Sequence, residues 1–211
     1  QIVLYFGQQG CIRTNNDLMS DEIYGLFAAS LSQSFDMTVI KGIASARGMW
    51  SGEKTGRTAT AYARGADAPK LNKDQVENAL ERSVRFMNRK NGHTYWQLMK
   101  KFQNRFYKPQ IGLRKTADSL EQALKQVAEF KKNDLPTLTA KDSHELVKAH
   151  ELVNMTLMAD LFLRASIIRT ESRYSHRRME YPLPDNANWL KFINWQRNRD
   201  NEDEISFEVP A

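Results

Sequence analysis

The sequence predicts an α+β protein: short β-rich segments come first, an antiparallel helical bundle follows, and an extended tail ends the chain. Seven of the ten glycines lie before residue 65. Long amphipathic patterns take over after Pro69, and the residues after Glu180 include Pro182, Pro184, Trp189 and Trp195. These changes of composition predict boundaries at 1–68, 69–179 and 180–211.

The first part contains three apolar, β-rich runs. Residues 1–6 and 12–16 predict short strands, and residues 23–29 predict a buried strand. Residues 30–46 have the composition of a loop. Residues 48–64 predict a helix with a thin side, where Gly52 and Gly56 would let another backbone approach closely.

The second part predicts four helices, over residues 73–90, 94–106, 115–132 and 142–169. Leu120, Leu124 and Val127 form one apolar stripe of the third helix. Asp142 or Ser143 is the expected N-cap of the fourth helix. Because the connections are short, the helices should pack as antiparallel neighbours. Residues 204–209 alternate like an edge strand.

Composition excludes or disfavours several kinds of site and partner. Cys11 is the only cysteine, so a cysteine ligand set for zinc or an iron–sulfur cluster is excluded, and a cytoplasmic setting is expected. No apolar run reaches the roughly 18 residues that span a membrane. The net charge of +6 raises the question of nucleic acid. The basic residues are interspersed with acidic ones along the helices, which disfavours that partner.

Two motifs resemble a phosphate-binding loop and a metal-binding histidine pair, but neither has the required residue spacing. Residues 52–55 resemble a phosphate-binding loop, but Glu53 stands where the signature requires lysine directly after glycine. His144 and His150 are six residues apart, so they diverge on a helix and do not form an i, i+4 metal pair. No metal site is predicted.

Two clusters leave alternatives open. An aromatic and basic mixture over residues 95–108 could stack single-stranded nucleic acid, but Phe102 and Phe106, on one helix face, favour core packing with solvated lysines. Residues 169–182 hold four arginines, two glutamates and a histidine. They predict either an ion-paired helix end or a preorganised anion or interface site. The residues alone favour neither.

The same cluster carries a family resemblance. It is similar to the pattern R-x-E-S-R-G-x-H-x-R-x-D-Y-P of the flavoprotein subunits of succinate dehydrogenase, fumarate reductase and adenylylsulfate reductase. The matching positions are Arg169, Glu171, Ser172, Arg173, His176, Arg178, Tyr181 and Pro182, and Asn188, Trp189 and Leu190 follow. Tyr174 and Glu180 depart from it. Residues 10–29 and 52–63 also resemble family segments, so the resemblance covers nearly the whole chain.

This resemblance implies the end of an FAD-binding domain at 1–68, with Ala28, Ala29 and Ser45 near the flavin by position. It assigns no catalytic residue. Leu31 stands where the family has the glutamate that binds the flavin's ribityl chain, and the family's arginine loop is not recognisable at 32–45. The dinucleotide fingerprint would precede residue 1. This chain alone should therefore bind FAD poorly.

The resemblance implies two partners: an N-terminal flavoprotein half or partner subunit, and an iron–sulfur electron-transfer subunit. The function it predicts is that of the C-terminal portion of an FAD-dependent oxidoreductase. A non-catalytic assembly module derived from the family is the main alternative, because the lost glutamate is what decay of flavin binding would produce. A basic helical nucleic-acid binder is a weaker alternative that depends only on charge and aromatic residues.

Overall fold

A computed structural model of the chain describes residues 12–32, 43–68, 70–89, 91–198 and 203–209. It combines helices with short strands, which confirms the predicted α+β class. The chain divides into two compact units, Gln1–Lys70 and Leu71–Ala211. The elements, in chain order, are α1 (Ile43–Gly65), α2 (Lys73–Val84), β1 (His93–Thr94), α3 (Tyr95–Phe106), α4 (Pro109–Gly112), α5 (Ala117–Glu129), β2 (Leu138–Thr139), α6 (Ser143–Ile168), α7 (Asn186–Trp189), β3 (Phe192–Arg197) and β4 (Asp203–Glu208).

The predicted strand at 23–29 is wrong, and so is the one at 12–16. Within 12–32, Met19 and Phe27 form one isolated antiparallel bridge. The Leu26 N–H donates to the Ile23 carbonyl at 3.1 Å, and Gly25 has φ 81°, which makes a turn with glycine at the position that needs positive φ. This turn leaves the side chain of Tyr24 exposed, so an apolar run forms a loop tip. The predicted strand at 1–6 lies outside the described residues.

Helix α1 begins at Ile43, inside the segment predicted as a loop, and ends at Gly65. Ser51 attaches the preceding turn to it, because its Oγ accepts a hydrogen bond from the Ser30 N–H at 2.8 Å. Apart from the neighbouring backbone of α1 itself, no described atom lies within 4 Å of the place where a Cβ would sit on Gly52 or Gly56. The close approach expected at these glycines is therefore not made by any described residue.

The core of the second unit forms where α3, α5 and α6 meet. One cluster surrounds Phe102, Phe130 and Leu152, and a second surrounds Leu120 and Leu163. Burial of each such side chain stabilises the folded state by roughly 1.5–3 kcal/mol. The predicted helical bundle is thus confirmed, with helix limits within a few residues of those expected.

Helix ends in the bundle follow local capping rules. Thr94 and Gln97 form a capping box at the start of α3. Asp142, one of the two predicted N-caps of α6, accepts from the Glu145 N–H at 2.8 Å, which confirms that choice. Helix α2 ends at Val84, earlier than predicted.

The strands β1 and β2 pair in parallel, with His93 opposite Leu138 and Thr94 opposite Thr139. Gly92 makes this pairing possible, because a Cβ there would lie 2.1 Å from the Thr137 carbonyl oxygen and 2.6 Å from Thr139 Cγ2. A side chain at position 92 would therefore push β1 off β2.

We expect Gly92→Ala to lower the free energy of unfolding by about 2–3 kcal/mol, because the backbone must shift to relieve the overlap. Urea denaturation would measure this. Gly56→Ala is the matched control: it lies in a helix with open space around it, so it should gain up to roughly 1 kcal/mol. Equal stability of Gly92→Ala and the unsubstituted chain would contradict this account.

The tail forms an antiparallel hairpin in which Trp195 lies opposite Ile205. The predicted strand at its end is confirmed as β4 (Asp203–Glu208), whereas its partner β3 (Phe192–Arg197) was not predicted. Asp203 forms an ion pair with Arg164 at 3.3 Å, which attaches the hairpin to α6.

Candidate functional site

The densest polar cluster of the second unit surrounds the carboxylate of Glu171, which is fully buried. Arg169 donates to it from Nη1 at 2.7 Å, and Arg173 donates from Nε at 2.9 Å and from Nη2 at 3.0 Å. The backbone N–H of Asp185 donates a fourth hydrogen bond at 2.8 Å. Two arginines and one backbone amide therefore share a single buried carboxylate.

The backbone explains this convergence. Helix α6 ends at Ile168, and Arg169 is already extended, with φ −76° and ψ 104°. In an extended chain, alternate residues point to the same side, so Arg169, Glu171 and Arg173 face one another. A helix would place Glu171 and Arg173 on diverging sides, whereas the extended chain lets them pair with each other.

The network also binds the segment that follows it. Arg169 donates to the carbonyl of Trp189 at 3.0 Å and to that of Lys191 at 2.7 Å. Arg173 donates to Asn186 Oδ1 at 2.6 Å. Together with the Asp185 amide on Glu171, these contacts attach the end of the bundle to the segment that contains Asn186 and Trp189.

The pKa of Glu171 reflects burial and hydrogen bonding, which act in opposite directions. Burial alone would raise the pKa of this carboxyl, but hydrogen bonds from Arg173, the Asp185 amide and Arg169 outweigh burial and lower it. Glu171 is therefore ionised at neutral pH, and its charge holds both guanidinium groups in place.

Arg178 caps the C-terminus of α6. Its side chain is almost fully buried, and Nη1 donates to the carbonyls of Ser166 at 2.8 Å and Ile167 at 3.2 Å. Its Nε meets the Glu180 carboxylate at 3.3 Å. A cation that binds the last carbonyls also interacts favourably with the helix dipole. Arg178 therefore closes the helix that precedes the Glu171 network.

Lys115 lies beside Arg178 and is only 1% exposed. Its backbone pairs in parallel with Arg178, and its Nζ lies 3.4 Å from the Ser175 carbonyl oxygen and 5.3 Å from the Phe162 ring centre. No described carboxylate forms an ion pair with it. Burial, followed by the charge of Arg178, lowers the pKa of Lys115 to about 8.

His176 is a half-buried histidine close to Lys115 and Arg178. Its Nε2 lies 3.2 Å from the carbonyl oxygen of Arg169, an arrangement that requires the proton on Nε2. Burial and the nearby charge of Lys115 lower the pKa of His176 to about 4. The ring is therefore neutral at pH 7.

We expect the second unit to lose stability as the pH falls from about 6.5 to about 4, because the unfolded chain binds a proton at His176 before the folded chain does. The loss should be about 2–3 kcal/mol. Denaturant unfolding at several pH values would measure it, and His176→Gln should flatten this part of the profile. An imidazole that titrates near pH 6.5 by NMR would contradict the assignment.

The arrangement around Glu171 anchors structure rather than binding a ligand. The Glu171 carboxylate receives four hydrogen bonds, and Arg169 and Arg178 direct their donors to backbone carbonyls. Of the two interpretations left open by the residues, the structure favours the ion-paired helix end. Sequence reasoning missed Lys115 altogether, since its pairing with residues 177–179 is long-range and no local pattern marks it.

The residues expected near a flavin lie in the first unit. Ala28 is buried, and its N–H donates to the Leu18 carbonyl at 2.9 Å. The Ala29 N–H donates to Ser32 Oγ at 3.2 Å. Ser45 is exposed in the first turn of α1, and its hydroxyl makes no hydrogen bond to a described residue.

These contacts test whether the residues fit FAD. The N–H groups of Ala28, Ala29 and Ser30 are all used within the unit, so these three residues offer the flavin apolar surface but no backbone donor. Ser45 is the one predicted residue whose polar atom is available. The described residues therefore do not form a flavin site by themselves. A cleft of about 300 Å³ lies elsewhere in the unit, lined by Asp17, Met19, Phe27, Thr58, Ala61 and Tyr62.

The histidines of α6 have structural neighbours. His150 contacts the Ser83 carbonyl at 2.7 Å, and its ring meets Phe86 edge to face. Within the described ranges, no three histidine, cysteine or carboxylate side chains are placed to hold a metal ion. The helices of those same ranges include none with the length and apolar character to cross a membrane.

The second unit is a helical bundle closed by this arginine–glutamate network, and it follows a glycine-rich unit with a long helix. Residues 100–209 match the family described as "Fumarate reductase flavoprotein C-term". This match covers more than half of the chain. The chain therefore belongs to the fumarate reductase flavoprotein family, as the sequence resemblance predicted.

Solved structures agree with this fold. The chain is similar to FrdA in a mutant quinol fumarate reductase of E. coli, with TM-score 0.81 and 19% identity over 94% of this chain and 36% of that one. It is also similar to Sdh1 of Mycobacterium smegmatis in complex with UQ1, with TM-score 0.84 and 22% identity over 95% and 35% of the two chains. For adenylylsulfate reductase of Archaeoglobus fulgidus, the TM-score is 0.69 at 21% identity, over 79% and 29%.

The chain thus spans about a third of the length of the structures that it matches. No curated protein matches the sequence.

Proposed function

We propose that this chain is the C-terminal portion of an FAD-dependent oxidoreductase and that hydride transfer requires an N-terminal FAD-binding part. The observation that carries the proposal is the family match over residues 100–209, since those residues contain the whole Glu171 network. In the complete protein, FAD would supply the redox chemistry. This chain would supply a rigid helical domain and the Ser45 end of α1.

Two features of the first unit support a requirement for another polypeptide. Its turn at Ala28–Ser30 has no free backbone donor, so the flavin's polar groups need donors from elsewhere. Gly52 and Gly56 present an open, side-chain-free face of α1, which suits close packing of a second backbone. An FAD-binding part packed there would complete the site.

Partner and compartment belong to the same proposal. The partner that exchanges electrons with the flavin would be an iron–sulfur subunit, as the family resemblance implies, since the single cysteine of this chain excludes a cysteine-ligated cluster within it. The cytoplasm is the proposed compartment on the same cysteine usage.

Flavin content tests the proposal. The chain should be purified alone and from its native host together with any associated N-terminal part, and FAD released by denaturation should be quantified. We expect about one FAD per native complex and no saturable FAD binding by the chain alone. Tight, stoichiometric binding by the isolated chain would refute the need for an N-terminal part.

A variant pair addresses Ser45 itself. Ser45→Trp places a bulky ring at the N-terminal turn of α1 and should reduce the flavin content of the complex by at least half. Thr60→Trp is the matched control, because Thr60 is also exposed on α1 but lies four turns further along. Equal flavin content in both variants would remove Ser45 from the proposed site.

A non-catalytic assembly module is the second candidate. The saturated N–H groups of Ala28–Ser30 and the leucine at position 31 favour it, because neither offers the flavin a polar contact. A native complex that assembles in full but contains no flavin would establish this candidate instead.

A further inference from the structure

The positive charge of the chain is concentrated in one stretch. Residues 82–117 contain ten lysines and arginines and no aspartate or glutamate. The remainder therefore has 21 basic and 25 acidic residues, so the whole excess of +6 comes from this stretch. The expectation that basic residues are interspersed with acidic ones along the helices is wrong here.

Helix α3 lies at the centre of the basic stretch and has two distinct faces. Leu98, Met99 and Phe102 are buried in the bundle core. About 120° around the helix from this buried face, Trp96 is 63% exposed and Tyr107 is 64% exposed. Residues 96, 100, 103 and 107 follow helical spacing, so both rings lie on one stripe with Lys100 and Gln103 between them. Large aromatic side chains on such a stripe are not needed for the core.

The basic side chains in and directly after α3 differ in whether they form ion pairs. Lys101 and Arg105 both pair with the buried carboxylate of Asp134 and so support the bundle. Lys100 is exposed on the aromatic stripe, and Lys108 is exposed directly after it. Neither forms an ion pair with any carboxylate in the described ranges. Their charges are therefore available to a partner.

We propose that Trp96, Lys100, Gln103, Tyr107 and Lys108, here called the α3 face, dock an acidic surface of a partner protein. The two aromatic rings would enter the interface as apolar anchors, a role in which Trp and Tyr are enriched. The lysines would face carboxylates at the rim. The surrounding arginines add a positive field that steers an acidic partner toward the face.

The spacing of the rings favours a protein over single-stranded nucleic acid. Residues 96 and 107 are about 16 Å apart along the helix axis, whereas proteins that bind single strands stack successive bases on neighbouring aromatics within a basic groove. The Trp96 ring also packs edge to face on Tyr95, with ring centres 4.9 Å apart, which fixes its position on a convex helix surface. This inference depends on the charges and exposure of this chain and not on flavin binding.

The test uses two fluorescent probes on the full chain: an 18-residue peptide of six Glu-Glu-Leu repeats, and a 12-nucleotide oligothymidylate. We expect saturable binding of the peptide, which Lys100→Glu with Lys108→Glu weakens at least about ten-fold. Lys125→Glu with Lys132→Glu is the control of equal charge change at two exposed lysines, and it should weaken binding less than about two-fold. Trp96→Ala with Tyr107→Ala should weaken it at least about three-fold.

Three outcomes would overturn the proposal. An equal loss in the two lysine pairs would show attraction to net charge alone. Tighter binding of the oligonucleotide than of the peptide, lost through Lys100→Glu and Lys108→Glu, would assign the face to nucleic acid. No saturable binding of either probe would leave the aromatic stripe without the proposed role. Unchanged thermal melts of each variant confirm that any loss concerns binding.

Discussion

Glu171→Gln should lower the free energy of unfolding by about 3–5 kcal/mol. The substitution keeps the size of the side chain but removes its charge. Arg169 and Arg173, both attached to that carboxylate and both mostly buried, would then lose the charge that each of them pairs with at Glu171. The hydrogen bond from the Asp185 amide would also weaken.

Thermal and urea unfolding would measure this effect, with Glu121→Gln as the control. The Glu121 side chain is exposed on α5 and forms no ion pair with a described residue, so its loss should cost less than about 0.5 kcal/mol. Arg173→Ala should behave like Glu171→Gln and lower the melting temperature more than it alters turnover in an assembled enzyme. An unchanged melt together with lost activity would identify Arg173 as a substrate-binding residue instead.

Lys115→Met should have the opposite sign and raise the free energy of unfolding at pH 7 by about 2–3 kcal/mol. Burial lowers the pKa of Lys115 from 10.5 to about 8, which means that holding the ammonium in the folded chain is unfavourable. Methionine has a similar length and no charge. The cation–π contact with Phe162 and the long hydrogen bond to Ser175 would be lost, but both are weak.

The pH dependence gives an independent check on Lys115. Its folded-state pKa lies below its unfolded value, so the unfolded chain binds more protons between about pH 8 and 10.5. The stability of the unsubstituted chain should therefore rise across that window, and the stability of Lys115→Met should not. Lys131→Met is a suitable control, because Lys131 is 42% exposed and lies 3.7 Å from the Asp160 carboxylate. A destabilised Lys115→Met variant would show that the ammonium is needed in the fold.

Helix limits were largely predictable because they depend on neighbouring residues. Asp142 caps α6 through a residue three positions later, and Leu120 and Val127 lie on the buried stripe that their spacing predicts. The arginine–glutamate network was predictable in composition and in the segments that it joins. Its geometry was not predictable, because a helix places Glu171 and Arg173 on different sides, whereas an extended chain places them on the same side.

Features that depend on distant residues were missed or misjudged. The apolar run at 23–29 has the composition of a strand, but Gly25 and Ser20 turn the chain there. Lys115 has no local pattern that marks it as buried, since the residues that cover it lie more than 40 positions away. The strand β3 escaped prediction because residues 192–197 do not alternate regularly between polar and apolar. The strand forms because it pairs with β4 in the hairpin.

The exposure of helix α2 affects how the second unit unfolds locally. None of its twelve residues is buried. It is held near its C-terminal end, where His150 contacts the Ser83 carbonyl and the next turn inserts Phe86 into the core. A helix this short is marginal in water without packing. Backbone amides of residues 76–82 should therefore exchange their hydrogens with solvent through local fraying, while amides of α5 and α6 exchange only when the bundle unfolds. The melting temperature of the bundle and the protease resistance of α2 thus report on different events.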